Sequence, residues 1–159
     1  MRELQVRIVK LEPLRAAYAL GFGPSPEGIA WEKLMSWAKR QGLLESIASH
    51  RLFGFNNPNP HPGSPNYGYE QWMTVGQEVQ PEGDIRIKEF PGGLFAVARC
   101  TGTDNIFNTW QQLVAWQETS HYKMANNQCL EECLNPQVFL EPQPDFGSLA
   151  FDLYLPIAE

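Results

Sequence analysis

The chain reads as an α+β protein: a pseudo-twofold tandem ββαββ repeat, in which an eight-stranded antiparallel sheet carries two helices on one face and leaves an open cleft on the other. Three observations predict it. An ungapped internal match sets residues 6–23 over residues 85–102, an offset of 79. Two helix-length stretches with apolar residues at helical spacing keep that offset. The remaining apolar residues fall in short runs bounded by Gly, Pro, Asn and Asp, the pattern of strands and turns.

The match begins with "VRIVKLEPLRAAYALGFG" over "IRIKEFPGGLFAVARCTG". Arg7, Ile8, Ala17, Ala19 and Gly23 meet Arg86, Ile87, Ala96, Ala98 and Gly102. These are two strands in each half, joined by a turn at Glu12-Pro13 or at Pro91-Gly92-Gly93. A helix follows "PSPEG", with Ser25 as N-cap and Pro26 at the first helical position. Its stripe is Ala30, Leu34, Trp37 and Ala38, and it stops near Gly42. The second helix follows Thr103-Asp104 with a stripe of Phe107, Trp110, Leu113 and Val114. Trp31, Leu34 and Trp37 meet Trp110, Leu113 and Trp116, two coincident pairs in a chain with five Trp, which chance seldom produces. Two strands close each half: "LFGFNNP" and "YEQWMTV" in the first, "LEECLNP" and "FDLYLPI" in the second. The repeats thus span about 4–76 and 84–157 of a single domain, residues 1–159, with the boundary in "GQEVQPEGD". Neither half shows an obvious core of its own. The small rows Ala17, Ala19, Gly21 and Ala96, Ala98, Cys100 admit close approach, by a packed helix first and a ligand second. "NNPNPHPGSPN" is too rich in Pro for a sheet interior and reads as a surface loop.

Composition narrows the function. Net charge is −6 and charged residues make up 19% of the chain, so no concentrated basic surface exists for direct nucleic acid binding. The N-terminal stretch lacks a continuous apolar run, so no membrane segment or leader is expected. Cys100, Cys129 and Cys133 form no Cys-x-x-Cys pair, which fits a reduced, cytoplasmic setting. His50, His61 and His121 are dispersed, and no phosphate-cradling or nucleophile-elbow motif is present; neither a metal nor a cofactor is expected.

In order and spacing, "EPLRAAYALGFGP", "YEQWMTV", "LEECLNP" and "FDLYLPI" resemble the GyrI-like small-molecule-binding family, also found as the effector-binding domain of multidrug-responsive bacterial transcription regulators. The resemblance covers nearly the whole chain. It implies two fused copies of one unit (a repeat of the SHS2 kind) with an aromatic-lined pocket between them. A Glu near the pocket floor meets cationic or polar ligands. In this chain the match sets that Glu at Glu131 and places Cys133 where the family usually has Tyr. A branch of the family resembles hydrolases of reactive small molecules, and other members resemble topoisomerase inhibitors that bind a protein partner. The helix-turn-helix region that often precedes the domain is not expected here.

On a strand, neighbouring side chains alternate between faces, so one of Glu131 and Glu132 turns inward. Taken alone, Glu131 reads as a solvated edge acid. Its repeat partner Phe53 and the resemblance turn it toward the cleft, with Glu132 in solvent. Trp72 and Tyr154 occupy equivalent positions, Trp72 sharing a face with Glu70 and Tyr154 with Asp152. They serve as core or as rings that stack on a ligand. Phe53 and Phe55 share a face as core or pocket lining, and Tyr18 and Phe95 add walls. The expected activity is stand-alone binding of a hydrophobic, aromatic or cationic small molecule. Glu131, Trp72, Tyr154, Phe53, Phe55, Tyr18 and Cys133 are the candidate contacts. A hydrolase using the pocket Glu and a protein-interaction module are the alternatives.

Overall fold

The computed structural model describes residues 4–159. In chain order the elements are β1 (Val6–Leu11), β2 (Leu14–Gly23), α1 (Pro26–Arg40), β3 (Leu52–Asn56), β4 (Tyr67–Thr74), β5 (Arg86–Phe90), β6 (Gly93–Thr101), α2 (Ile106–Thr119), β7 (Lys123–Met124), β8 (Leu130–Cys133) and β9 (Ala150–Ala158). They form two compact units. One comprises the chain up to Pro13 together with Pro91–Glu159, the other Leu14–Phe90. Each holds four main strands, all antiparallel, and one long helix. The sheet order is β3-β4-β2-β5 in the Leu14–Phe90 unit and β1-β6-β9-β8 in the other, where the short β7 adds to β9. This is the expected α+β class with eight main strands.

The strand pairing differs from the expected hairpins. β1 pairs with β6 rather than β2, and β5 pairs with β2 rather than β6. A two-residue hairpin needs positive φ in its turn, and no non-glycine residue adopts it among the described residues, Glu12 and Pro13 included. At the second junction Gly92 does adopt it, with φ 80°. There a Cβ would lie 2.0 Å from the Leu11 carbonyl oxygen, so this glycine serves a close backbone approach rather than a hairpin. The first strand of each repeat is therefore built into the unit that holds the other repeat's remaining strands.

Each unit, cut differently from the sequence halves, has a core of its own. In the Leu14–Phe90 unit, α1 lays Leu34, Met35, Trp37 and Ala38 on Ala17, Ala19, Leu52 and Met73. The small row on β2 admits the helix as expected. A Cβ on Gly21 would lie 2.2 Å from the Pro26 carbonyl oxygen, and Ala17 and Ala19 are fully buried. Pro26 opens the helix behind Ser25. Gly42, at φ 72°, closes it, while the Leu43 N–H donates to the Ala38 carbonyl at 2.9 Å. In the other unit α2 lays Leu113, with Ile106, Trp110 and Trp116, on Ala96, Ala98, Leu153, Leu155 and Ile157. Fully burying each large side chain stabilises its unit by about 1.5–3 kcal/mol. The expected stripe on α2 needs correction. Phe107 is 73% exposed and Val114 is exposed too. Seven residues apart, these two share the outer face, while Ile106, Trp110 and Leu113 follow the i, i+4, i+7 line that meets the sheet. No helix among the described residues is long and apolar enough to cross a membrane.

Candidate functional site

In the Leu14–Phe90 unit the strand register gathers one set of side chains on the sheet face opposite α1. Tyr18 and Phe53 lie directly across from Trp72, and Leu20 and Phe55 directly across from Glu70. Directly opposed residues point to the same face. Trp72 is almost fully buried and makes edge-to-face contacts with Phe55 and Phe90, each with centroids 5.3 Å apart, and with Phe53 at 6.4 Å. Such pairs contribute about 0.5–1.5 kcal/mol each beyond their buried area. Glu70 is 2% exposed, which an acid tolerates only when paired. Its carboxylate accepts from the Trp72 indole Nε1 at 2.7 Å, from Asn57 Nδ2 at 3.1 Å, and from Lys88 Nζ. The Lys88 ammonium also stands over three rings, 4.4 Å from the Tyr18 centroid, 5.1 Å from that of Trp72 and 5.9 Å from that of Phe55. A carboxylate and three π faces converge on one cation. The same face runs on into Leu20 and Phe22, which are 46% and 61% exposed, so an apolar surface adjoins the cluster.

The second unit builds a related arrangement from equivalent strands. On the face opposite α2, the Tyr154 hydroxyl donates to Glu132 Oε1 at 2.6 Å, and Phe95 meets the Tyr154 ring edge-on at 5.6 Å. Glu132 stands directly across from Asp152, both buried. Like charges in that position repel, and two guanidiniums offset the repulsion. Arg99 donates to Asp152 from Nε at 2.9 Å and from an NH group at 3.2 Å, while Arg7 binds it at 2.8 Å. Burial alone would raise the Asp152 carboxyl. The hydrogen bonds and charges of Arg99 and Arg7 together outweigh that and hold it below the usual aspartate range.

Glu131 and Glu132 are reversed from expectation. Glu131 faces α2, where its Oε2 accepts from the Trp110 indole at 2.8 Å. Cys133 lies on the same face of β8, buried against Val138 and Leu149. Glu132, expected in water, is buried beside Tyr154. The cause is a one-residue difference in register between the two repeats, which turns every side chain to the opposite face. Aligning the Asn-Pro pairs of "LFGFNNP" and "LEECLNP" sets Phe53 over Glu131. In the sheets, however, Phe53 opposes Trp72 while Leu130 opposes Tyr154, and Phe55 opposes Glu70 while Glu132 opposes Asp152. The second repeat has one more residue between strand and Asn-Pro. Burial pushes the Cys133 thiol up to about 11 and raises those of Cys100 and Cys129, so none supplies a thiolate at neutral pH.

Glu70, Asp152 and Lys88 are not among the contacts expected from the sequence. Period-two alternation does place Glu70 with Trp72 and Asp152 with Tyr154. For Lys88 no local signal exists, because its role depends on β5 pairing with β2. A separate cleft of about 930 Å3 lies in the unit that holds α2, lined by Gln5, Arg7, Arg99, Asn105, Asn108 and Gln112 among others. Amides and guanidiniums share its walls with Leu4, Cys100, Thr101 and Thr109, and none of the expected contact residues lines it. Among the described residues, no group of three or more His, Cys, Asp or Glu side chains is placed to hold a metal.

Each of the two repeats thus bears a buried acid beside aromatic rings on the sheet face opposite its unit's helix. The chain matches the Cass2 family of integron-associated effector binding proteins over residues 7–157 and belongs to it. Solved structures share the fold. The C-terminal domain of EcmrR superposes with a TM-score of 0.73 at 14% identity, covering 99% of each chain. Against EcmrR in its DNA complex the TM-score is 0.74 at 14% identity, and this chain spans 59% of that longer one. A hydrolase from Listeria innocua gives 0.69 at 11% identity over 99% of this chain and 94% of the other. SAV2435 bound to tetraphenylphosphonium gives 0.55 at 6% identity over 97% and 94%. No curated protein sequence matches the chain.

Proposed function

We propose that this protein binds an apolar, aromatic small molecule on the sheet faces opposite its helices, with the cluster around Glu70 and Trp72 as the principal recognition surface. The observation that carries this reading is Glu70 itself: a carboxylate withdrawn from water, fixed by the Trp72 indole, and facing the same point as the rings of Tyr18, Phe55 and Trp72. A fold needs no such arrangement for stability, because buried charge is costly to keep and apolar replacements serve a core as well. Rings set edge to face around a fixed acid suit a flat or multi-ring partner, for which stacking and cation–π contacts supply the contact energy. Membership of an effector-binding family supports the reading, as does the tetraphenylphosphonium held by SAV2435, a protein of this fold. Tyr18, Phe53, Phe55 and Trp72 keep the ligand-contact role expected from sequence, as does Tyr154 in the second unit. Glu70 and Glu132 take the place of Glu131.

Titration with multi-ring aromatic compounds, followed by thermal shift and calorimetry, tests the proposal. Saturable one-to-one binding weakened about tenfold or more by Tyr18→Ala supports it. Binding left unchanged by both Tyr18→Ala and Trp72→Phe contradicts it.

A second reading is favoured by one feature, the buried Glu132–Tyr154 pair. A carboxylate 2.6 Å from a phenol is a ready proton-transfer couple, and the Listeria innocua protein of this fold is described as a hydrolase. Turnover of an electrophilic ligand, abolished in Glu132→Gln with binding retained, distinguishes this reading from simple binding.

A further inference from the structure

The Lys88 ammonium fills the point on which the Glu70 carboxylate and the rings of Tyr18, Phe55 and Trp72 converge. Its side chain is 32% exposed whereas that of Glu70 is 3% exposed, so the lysine reaches from the surface to a buried acid. An ammonium is strongly hydrated in water, and here rings and a carboxylate replace part of that shell. The strand architecture does not demand this. At the offset of 79 the position equivalent to Lys88 is Val9, which stands opposite Phe95 as Lys88 stands opposite Ala16. A neutral side chain serves equally well there. In the second unit the equivalent acid, Asp152, is met instead by Arg7 from β1, so an ion pair recurs, whereas an ammonium set over three rings belongs to this cluster.

Charge is already balanced while Lys88 is in place. A lipophilic cation must expel a tethered competitor, a lysine held on β5 of the same sheet, whose effective concentration is that of an intramolecular group. A neutral or anionic aromatic molecule that lies on the exposed Leu20 and Phe22 against the half-buried Tyr18 leaves the Lys88–Glu70 pair unbroken, and an anion gains from the ammonium, whose side chain is partly exposed. Resting on the small-molecule reading above, we infer that Lys88 sets the charge selectivity of this cluster: it admits neutral and anionic aromatic ligands and turns lipophilic cations away.

Calorimetry with three probes of similar shape tests this: tetraphenylphosphonium, triphenylphosphine oxide and tetraphenylborate. The wild type should bind the neutral and anionic probes more tightly than the cation, a ranking that needs no variant. Lys88→Met should raise affinity for tetraphenylphosphonium at least about tenfold and lower that for tetraphenylborate, with the neutral probe little changed. Adding Glu70→Gln should remove the gain for the cation, and Lys88→Arg should behave as wild type. A wild type that prefers the cation, or a Lys88→Met change that moves all three affinities by one factor, overturns the inference while leaving small-molecule binding intact. Absence of saturable binding by every probe, to wild type and to folded Lys88→Met alike, overturns the small-molecule reading as well.

Discussion

Glu70, Glu132 and Asp152 are carboxylates almost wholly withdrawn from water, and each is met by donors within its own unit. Asp152 has consequences for stability. Its native carboxyl titrates below the usual range, so its stabilising contribution is complete above the ordinary aspartate value near pH 4 and is lost as pH falls through the native one. Asp152→Asn should cost about 1–2 kcal/mol at pH 7, less than for a fully buried pair because Arg7 and Arg99 are more than half exposed. Denaturant melts at pH 7 and pH 3 check this; a penalty that persists undiminished at pH 3 contradicts it. Tyr154→Phe removes a buried donor and should cost about 1–3 kcal/mol, with most of the loss absent when Glu132 is already Gln. For single residues the sequence is informative about alternation and silent about register. Glu70 and Trp72 are legible as neighbours on one face, but which of Glu131 and Glu132 turns inward depends on a single inserted residue near Asn135-Pro136.

Among the secondary elements, two close approaches and one open position give opposite predictions for the same substitution. Gly92→Ala places a methyl 2.0 Å from the Leu11 carbonyl oxygen on a backbone at φ 80°, and should cost about 2–4 kcal/mol. Gly21→Ala meets the Pro26 carbonyl oxygen at 2.2 Å and should force α1 off β2. Gly28 lies inside α1, and a methyl added there has no neighbour within 4 Å, so Gly28→Ala should stabilise by about 0.5–1 kcal/mol. Thermal unfolding of the three variants measures all of this, and a destabilising Gly28→Ala contradicts the open setting of that position on α1. Helices and strands are legible from periodicity and from Gly and Pro punctuation. The buried line of α2 is legible only to within one residue, because Ile106 and Phe107 are equally apolar and only the docked helix decides between them.

For the whole molecule, the repeat in the sequence and the units in space are cut differently. The repeat is legible because Trp pairs and small-residue rows recur at one offset. The exchange of β1 and β5 is not, since it depends on strand partners distant in sequence. It predicts fragment behaviour. Residues 14–90 carry a complete four-strand sheet with its helix, whereas residues 1–78 lack β5 and leave β1 without its partner β6. The first fragment should show more cooperative unfolding and greater amide protection than the second. The reverse order contradicts the exchange.

If ligands are read by the Glu70–Trp72 cluster, binding must register first on its own rings. Indole and aromatic-proton NMR of the full chain, titrated with triphenylphosphine oxide and tetraphenylborate, observes those rings directly. The expected result is saturable shifts of the Trp72 indole N–H and of the Tyr18 and Phe55 rings, while the Trp110 indole, bound to Glu131, stays in place. Saturable binding that moves Trp110 or the Arg7–Gln112 cleft and leaves Trp72 unmoved would contradict recognition by this cluster.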